Sequence, residues 1–313
     1  MTRVAAIDCG TNSIRLLVAD VHTATTHTEV ERSMEIVRLG QGVDRTGMLD
    51  PTALDRTLAA TAAYAERCRE LGVERVRFVA TSATRDAGNR QQFVDGVRDL
   101  LGVEPEVVTG AEEAALAFRG AASVLGPARH PAPYLVVDIG GGSTELVLGS
   151  EDPEAAVSVD VGSVRLTERH LADDPPTPEQ VAAARDDVHA ALDGADVPLG
   201  RARTLVGLAG SVTTVTAHAL GLPRYERRRI DGASLPVPQV LASCRALTTA
   251  SREQRAAMPF MHPGRVDVIG AGALVWAEIV SRVAEEVDAA GGRLAHVVTS
   301  EHDILDGIAL SLA

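Results

Sequence analysis

Short runs of Val, Ile, Leu and Ala alternate along the chain with longer stretches whose apolar residues recur at helical spacing. That alternation predicts an α/β fold. Residues 4–7 form the first run, which passes through Asp8-Cys9-Gly10-Thr11-Asn12-Ser13 and resumes at residues 14–18. Two apolar runs around a small polar turn predict a β-hairpin. A helix is predicted from Asp50-Pro51 to about Leu71: Asp50 can cap, Pro51 suits the first helical position, and Gly72 stops it. A strand at 75–80, a helix near 91–101, a strand at 106–109 and a helix at 111–125 follow. Residues 126–133 carry three prolines and no periodicity, and mark the expected domain junction. Beyond it the pattern predicts a strand at 134–137 and a helix opening on the capping-box sequence Thr177-Pro178-Glu179-Gln180. A strand at 204–208 and helices after Ser211, Pro236 and Ser251 come next. A long helix at 273–289, a strand at 294–299 and a terminal helix complete the prediction.

The pattern also repeats. Asp8-x-Gly10-Thr11-Asn12-Ser13-x-x-Leu16-Leu17-Val18 matches Asp138-x-Gly140-Gly141-Gly142-Ser143-x-x-Leu146-Val147-Leu148 without gaps, 130 residues later. Each copy opens its half of the chain with a strand, an aspartate, a small-residue turn and a second strand. A duplicated α/β domain is the expectation, with one domain over residues 1–126 and the other over 132–300. The last helix, about 301–313, is expected to return to the first domain.

Composition narrows the chemistry. All 30 basic residues are arginine, so a Walker A loop and a lysine Schiff base are both excluded. A net charge of −13 argues against nonspecific binding to nucleic acid or anionic membranes, while allowing a local arginine patch. Cys9, Cys68 and Cys244 are widely spaced and form neither a disulfide framework nor a zinc set. The longest apolar stretch falls short of the ~20 residues of a membrane span, and no secretory signal precedes the first strand. A cytoplasmic protein is expected.

Small turn residues let backbone amides wrap an anion, and the hydroxyls of Thr11, Ser13, Ser143 and Thr144 add donors. Two such turns, one per domain, would face each other across a cleft and grip phosphates. Asp8 and Asp138, at the ends of the first strands, can hold a hydrated Mg²⁺, with Glu145 on the returning strand as a partner. Gly140-Gly141-Gly142 alone reads equally as a tight hairpin; its pairing with the first turn favours the functional reading. Gly110-Ala111-Glu112-Glu113 opens a helix, where acidic residues suit the dipole or supply a base that orients an attacking water. Arg85, in Thr81-Ser82-Ala83-Thr84-Arg85-Asp86 after a strand, can bind a phosphate or make a surface ion pair with Asp86. Residues 207–213 turn a strand into a helix and suit either an anion or close packing. Residues 224–229 hold the dense basic run, by default a solvated loop. Gly270-Ala271-Gly272 lacks the third glycine of a dinucleotide fingerprint, and His262, His296 and His302 lack metal-ligand spacing.

Five stretches occur in order: residues 6–18, 80–87, Gly110-x-Glu112-Glu113-Ala114, residues 137–146, and Ser300-Glu301-His302-Asp303. Together they closely resemble the exopolyphosphatase / guanosine pentaphosphate phosphohydrolase family, over nearly the whole chain. The resemblance implies two ribonuclease-H-like domains of the actin/hsp70/sugar-kinase type around a central cleft. It implies hydrolysis of the terminal phosphate of inorganic polyphosphate or guanosine pentaphosphate, with Mg²⁺, or Mn²⁺ in its place. On matching positions it makes Glu113 the general base, gives the metal to Asp138 and Glu145, and has Arg85 assist the turns that hold the phosphates. The phosphates fall to Gly10, Thr11, Asn12 and Ser13 and to Gly140, Gly141, Gly142, Ser143 and Thr144. A homodimer is a family-level expectation. Long members carry extra C-terminal helical domains not found here, which leads to the expectation of short chains as substrate. A non-catalytic polyphosphate or alarmone sensor is the alternative outside the enzyme class.

Overall fold

The computed structural model describes residues 1–126 and 129–313, so Pro127 and Ala128 of the expected junction lie outside the described residues. Two compact units emerge: Met1–Ser123 with Asp303–Ala313, and Val124–His302.

The first unit contains β1 (Thr2–Cys9), β2 (Ser13–Thr23), β3 (Thr26–Ile36), α1 (Val43–Thr46), α2 (Pro51–Glu70), β4 (Arg75–Ala80), α3 (Ser82–Asp86), α4 (Arg90–Leu101), β5 (Glu106–Val107) and α5 (Gly110–Ala122). Its sheet runs β3-β2-β1-β4-β5, with β1–β2–β3 antiparallel and β1, β4 and β5 parallel. The second unit contains β6 (Tyr134–Ile139), β7 (Thr144–Gly149), β8 (Pro153–Val159), α6 (Ser163–His170), α7 (Pro178–Asp193), β9 (Thr204–Leu208), α8 (Ala209–Ala219), α9 (Arg227–Ile230), β10 (Ser234–Pro236), α10 (Val237–Thr249), α11 (Arg252–Ala256), α12 (Ile269–Ala289) and β11 (His296–Thr299). Its sheet, β10-β11-β9-β6-β7-β8, repeats the same order and directions with one added edge strand. Each unit therefore has the ribonuclease-H-like arrangement of the actin/hsp70/sugar-kinase type. The chain ends in α13 (Ile304–Leu310), which is buried throughout and packs against α5 within the first unit.

Local chemistry explains most boundaries. Asp50 caps α2 through Ala53 N–H (3.0 Å), Pro51 occupies its first turn, and Gly72 adopts φ +66 beyond its end. Thr177 and Gln180 form the expected capping box of α7. Strands β6 and β7 are buried at every position, as central strands covered on both faces require. The single tryptophan, Trp276, is buried over β9; a Cβ on Gly207 would lie 2.7 Å from its ring, so the strand needs glycine there.

Several boundaries differ from the expectation. The helix expected at 111–125 stops at Ala122, where the Ser123 hydroxyl donates to the Gly120 carbonyl (2.7 Å). Helix α8 begins at Ala209, before Ser211, and α12 begins at Ile269 rather than Ala273. Gly270 and Gly272 thus lie in the first turn of α12. A Cβ on either would come within 2.6 Å of Arg255 Nη1 or 2.2 Å of Ser211 Oγ, so both glycines serve close packing. Strands β3 and β8 and helix α6 have no counterpart in the sequence reading. Both strands are sheet edges in which no residue but Val159 is fully buried, and so lack the apolar alternation that reveals a strand with one buried face.

Candidate active site

In the first unit, β1 delivers Asp8 to the start of the turn 10–13, which Gly10 N–H closes onto the Ser13 carbonyl (3.0 Å). The Thr11 carbonyl accepts Gly40 N–H (2.9 Å), and the Asn12 carbonyl accepts Val37 and Arg38 N–H (3.1 and 2.9 Å). The amides of Thr11 and Asn12 donate to no group among the described residues. A turn with bound carbonyls and available amides suits an anion. The Thr11 and Ser82 hydroxyls pair at 2.9 Å and tie this turn to the start of α3.

Helix α3 then presents Arg85. Its Nη1 donates to the Val108 carbonyl (3.0 Å) and to Glu113 Oε2 (3.1 Å). Glu113 stands in the first turn of α5, where Thr109 caps through Glu112 N–H. The structure separates the two adjacent glutamates: Glu112 is exposed and pairs with Arg77 (3.0 Å), while Glu113 is only 9 % exposed. Burial raises the Glu113 carboxyl from 4.5 to about 7; Arg85 opposes the rise and the charge of Asp8 adds to it. Asp8 Oδ2 accepts both Nε and Nη2 of Arg15 (3.0 and 2.7 Å), and Arg15 Nη1 reaches Asp303 Oδ2 (2.5 Å). Burial outweighs this pairing and still raises the Asp8 carboxyl.

In the second unit, Gly140 N–H closes its turn onto the Ser143 carbonyl at the same 3.0 Å. The Gly140 and Gly141 carbonyls accept the first N–H groups of α6, from Ser163 (3.0 Å) and from Val164 and Arg165 (2.8 and 3.1 Å). Arg165 Nε donates to the Gly142 carbonyl (2.6 Å). The amides of Gly141, Gly142 and Ser143 donate to no group among the described residues. Gly162 permits this docking, because a Cβ there would lie 2.5 Å from the Gly141 oxygen. Thr144 turns its hydroxyl onto the Val161 carbonyl (2.7 Å). Asp138 and Glu145 are direct cross-strand partners of β6 and β7, so both carboxylates project from one face. Glu145 Oε1 also accepts from Ser158 (2.7 Å). Two carboxylate oxygens on adjacent strands are a donor set for a hard, partly hydrated cation.

The non-glycine residues with left-handed φ among those described, Arg38 (52°) and Ala209 (64°), stand at the 10–13 turn and at the β9–α8 junction. Arg265 packs its guanidinium on Gly210 in that junction. Arg15, Arg165 and Arg265 escaped the sequence reading as candidates. No spacing singles them out among 30 arginines; for Arg15 alone, its place in the repeat opposite Glu145 was a usable signal. Tyr225 and Arg227, from the basic run, approach Glu301 at 2.5 and 3.6 Å.

The model of the Ppx/GppA phosphatase family matches residues 17–308. Exopolyphosphatase 2 of Mycobacterium tuberculosis is 51% identical over 323 aligned positions, covering 100% of this chain and 99% of its own. The crystal structure of an exopolyphosphatase-like protein superposes with a TM-score of 0.96 at 45% identity, covering 99% of this chain and 98% of that one. The Aquifex aeolicus member of the Ppx/GppA family gives 0.80 at 28% identity, over 99% and 97% of the two chains. With family model, sequence relative and solved structures agreeing along its length, this chain belongs to the Ppx/GppA phosphatase family.

Proposed function

We propose that the chain is an exopolyphosphatase that hydrolyses the terminal phosphate of inorganic polyphosphate, using Mg²⁺ and a water activated by Glu113. The full-length similarity to a mycobacterial exopolyphosphatase supports the substrate class. The observation that carries the mechanism is Glu113: a buried carboxylate, held by Arg85, whose proton affinity burial raises to about 7. A base with that affinity takes a proton efficiently near neutral pH.

In this reading the water oxygen forms a bond to the terminal phosphorus, the bridging P–O bond breaks in line, and the water proton passes to Glu113. Orthophosphate leaves, and the shortened chain keeps the electron pair of the broken bond. The amides of Thr11 and Asn12, and those of Gly141, Gly142 and Ser143, hold phosphate oxygens. Arg85 keeps Glu113 oriented and adds positive charge. Asp138 and Glu145 fit a Mg²⁺ ion, which when bound neutralises charge on phosphate oxygens. Asp8, already engaged by Arg15, sets the floor of the first turn.

The test is Mg²⁺-dependent orthophosphate release from short and long polyphosphates and from guanosine pentaphosphate, comparing the native protein with Glu113→Gln. The variant should lose about 10²–10⁴ in rate while still binding substrate. Preferential turnover of guanosine pentaphosphate would transfer the reading to that substrate. Binding without turnover in the native protein would make it a sensor instead.

A further inference from the structure

Thr81 occupies the position before α3, where a threonine usually caps a helix, yet its side chain bonds no amide of that helix. Its backbone is engaged on both sides: the Thr81 amide donates to the Cys9 carbonyl (3.2 Å), and its carbonyl accepts Arg85 N–H (3.0 Å). The Val108 amide donates to the neighbouring Ala80 carbonyl (3.1 Å), which seats the segment before α5 beside Thr81. The residue is only 4 % exposed. Its hydroxyl oxygen lies 3.7 Å from where a Cβ on Gly10 would stand, at the head of the turn 10–13. The same hydroxyl acts on Glu113 as a hydrogen-bond donor, helping Arg85 to lower that carboxyl against burial. A buried hydroxyl that leaves its helix uncapped thus lies beside both the phosphate turn and the base.

We propose that Thr81 is a positioning residue of the reaction: its hydroxyl holds the Glu113 carboxylate alongside Arg85 and keeps it in register with the turn 10–13. The inference rests on the reading of Glu113 as the base. A guanidinium can only donate, so Arg85 suits the ionised carboxylate alone. A hydroxyl has one proton to give and lone pairs to accept with. Thr81 donates to the ionised carboxylate, then rotates and accepts from the carboxyl once the water proton has reached it. The base is thereby held in one place before and after proton transfer.

Orthophosphate release from polyphosphate in Mg²⁺ tests this with Thr81→Val, Thr81→Ser, Glu113→Gln and the double variant Thr81→Val/Glu113→Gln, each also melted to check folding. Valine keeps the shape of threonine without the hydroxyl, and α3 loses no cap by it. Thr81→Val should lower kcat about 10- to 100-fold, the worth of a hydrogen bond to a charged group, and leave KM within about twofold. Thr81→Ser should recover most of that loss. In the Glu113→Gln background Thr81→Val should cost nothing further, because a group that acts through the base then has nothing to act on. Should Thr81→Val fail to fold, Thr81→Ala takes its place with the same expectations. A folded valine or alanine variant with native kcat overturns the inference, as does a loss carried by KM. A serine variant as slow as the valine one overturns it too, and so does an equal loss in the Glu113→Gln background. Native turnover by Glu113→Gln overturns instead the reading of Glu113 as the base.

Discussion

Glu112 and Glu113 are neighbours of identical chemistry in opposite circumstances. A helix turns ~100° per residue, so one carboxylate meets water and Arg77 while the next is turned inward onto Arg85. That difference gives the pH dependence its sign. Glu113 accepts a proton only when ionised, so turnover should rise with pH through an acid limb near 7. Arg85 lowers the Glu113 carboxyl against the effect of burial. Arg85→Gln should therefore move the acid limb of kcat/KM to higher pH, and a limb left in place would detach Arg85 from the ionisation of the base. The partnership was not legible in the sequence, where Arg85 and Glu113 lie far apart and Asp86 is the nearer acid. Packing of α3 against the segment before α5 brings them together, through the Val108 carbonyl as well as the glutamate.

Among elements, the closest approaches are made by glycine. Helices α5 and α13 meet so tightly that a Cβ on Gly120 would lie 1.9 Å from the Asp303 carbonyl, and one on Gly307 equally close to that of Leu116. Both obstacles are backbone, which cannot swing aside. Gly120→Ala should cost about 3 kcal/mol in a denaturant melt, at the upper end of overpacking penalties. Ala209 presents the reverse case: its φ of +64 strains an L-residue at the strand-to-helix junction. Ala209→Gly should relieve that strain and stabilise the fold by up to about 1 kcal/mol, net of glycine's greater freedom when unfolded. An unchanged or lowered melting temperature would mean that the Ala209 methyl contributes more by packing than it costs in strain. Caps and buried periodicity made α2, β4, β9 and α7 readable from residue order. Sheet-edge positions made β3 and β8 unreadable, and small residues without a cap hid the start of α12.

At the scale of the whole molecule, the first unit is assembled from both ends of the chain. Every residue of α13 is buried, and Arg75 donates to the Leu312 carbonyl (2.7 Å) while Arg77 reaches Ser311 (2.8 Å). Deleting residues 303–313 would expose the α5 face and remove the Asp303 anchor of Arg15. Hydrogen exchange should then show lost protection across β1, β2 and α5 with the β6–β9 sheet still protected, and unchanged protection in β1 would show α13 to be dispensable. The sequence by itself determined the alternation of strands and helices, the repeat of strand, aspartate and small-residue turn, and the resemblance to a family of phosphate-releasing enzymes. Those features are local, set by periodicity, capping and the conformational freedom of small residues over a few neighbouring positions. Only the tertiary structure decided which glutamate is buried and which arginine holds it. Burial and charge pairing depend on distances in space between groups far apart in the chain, and those distances are fixed only when the sheets and helices pack.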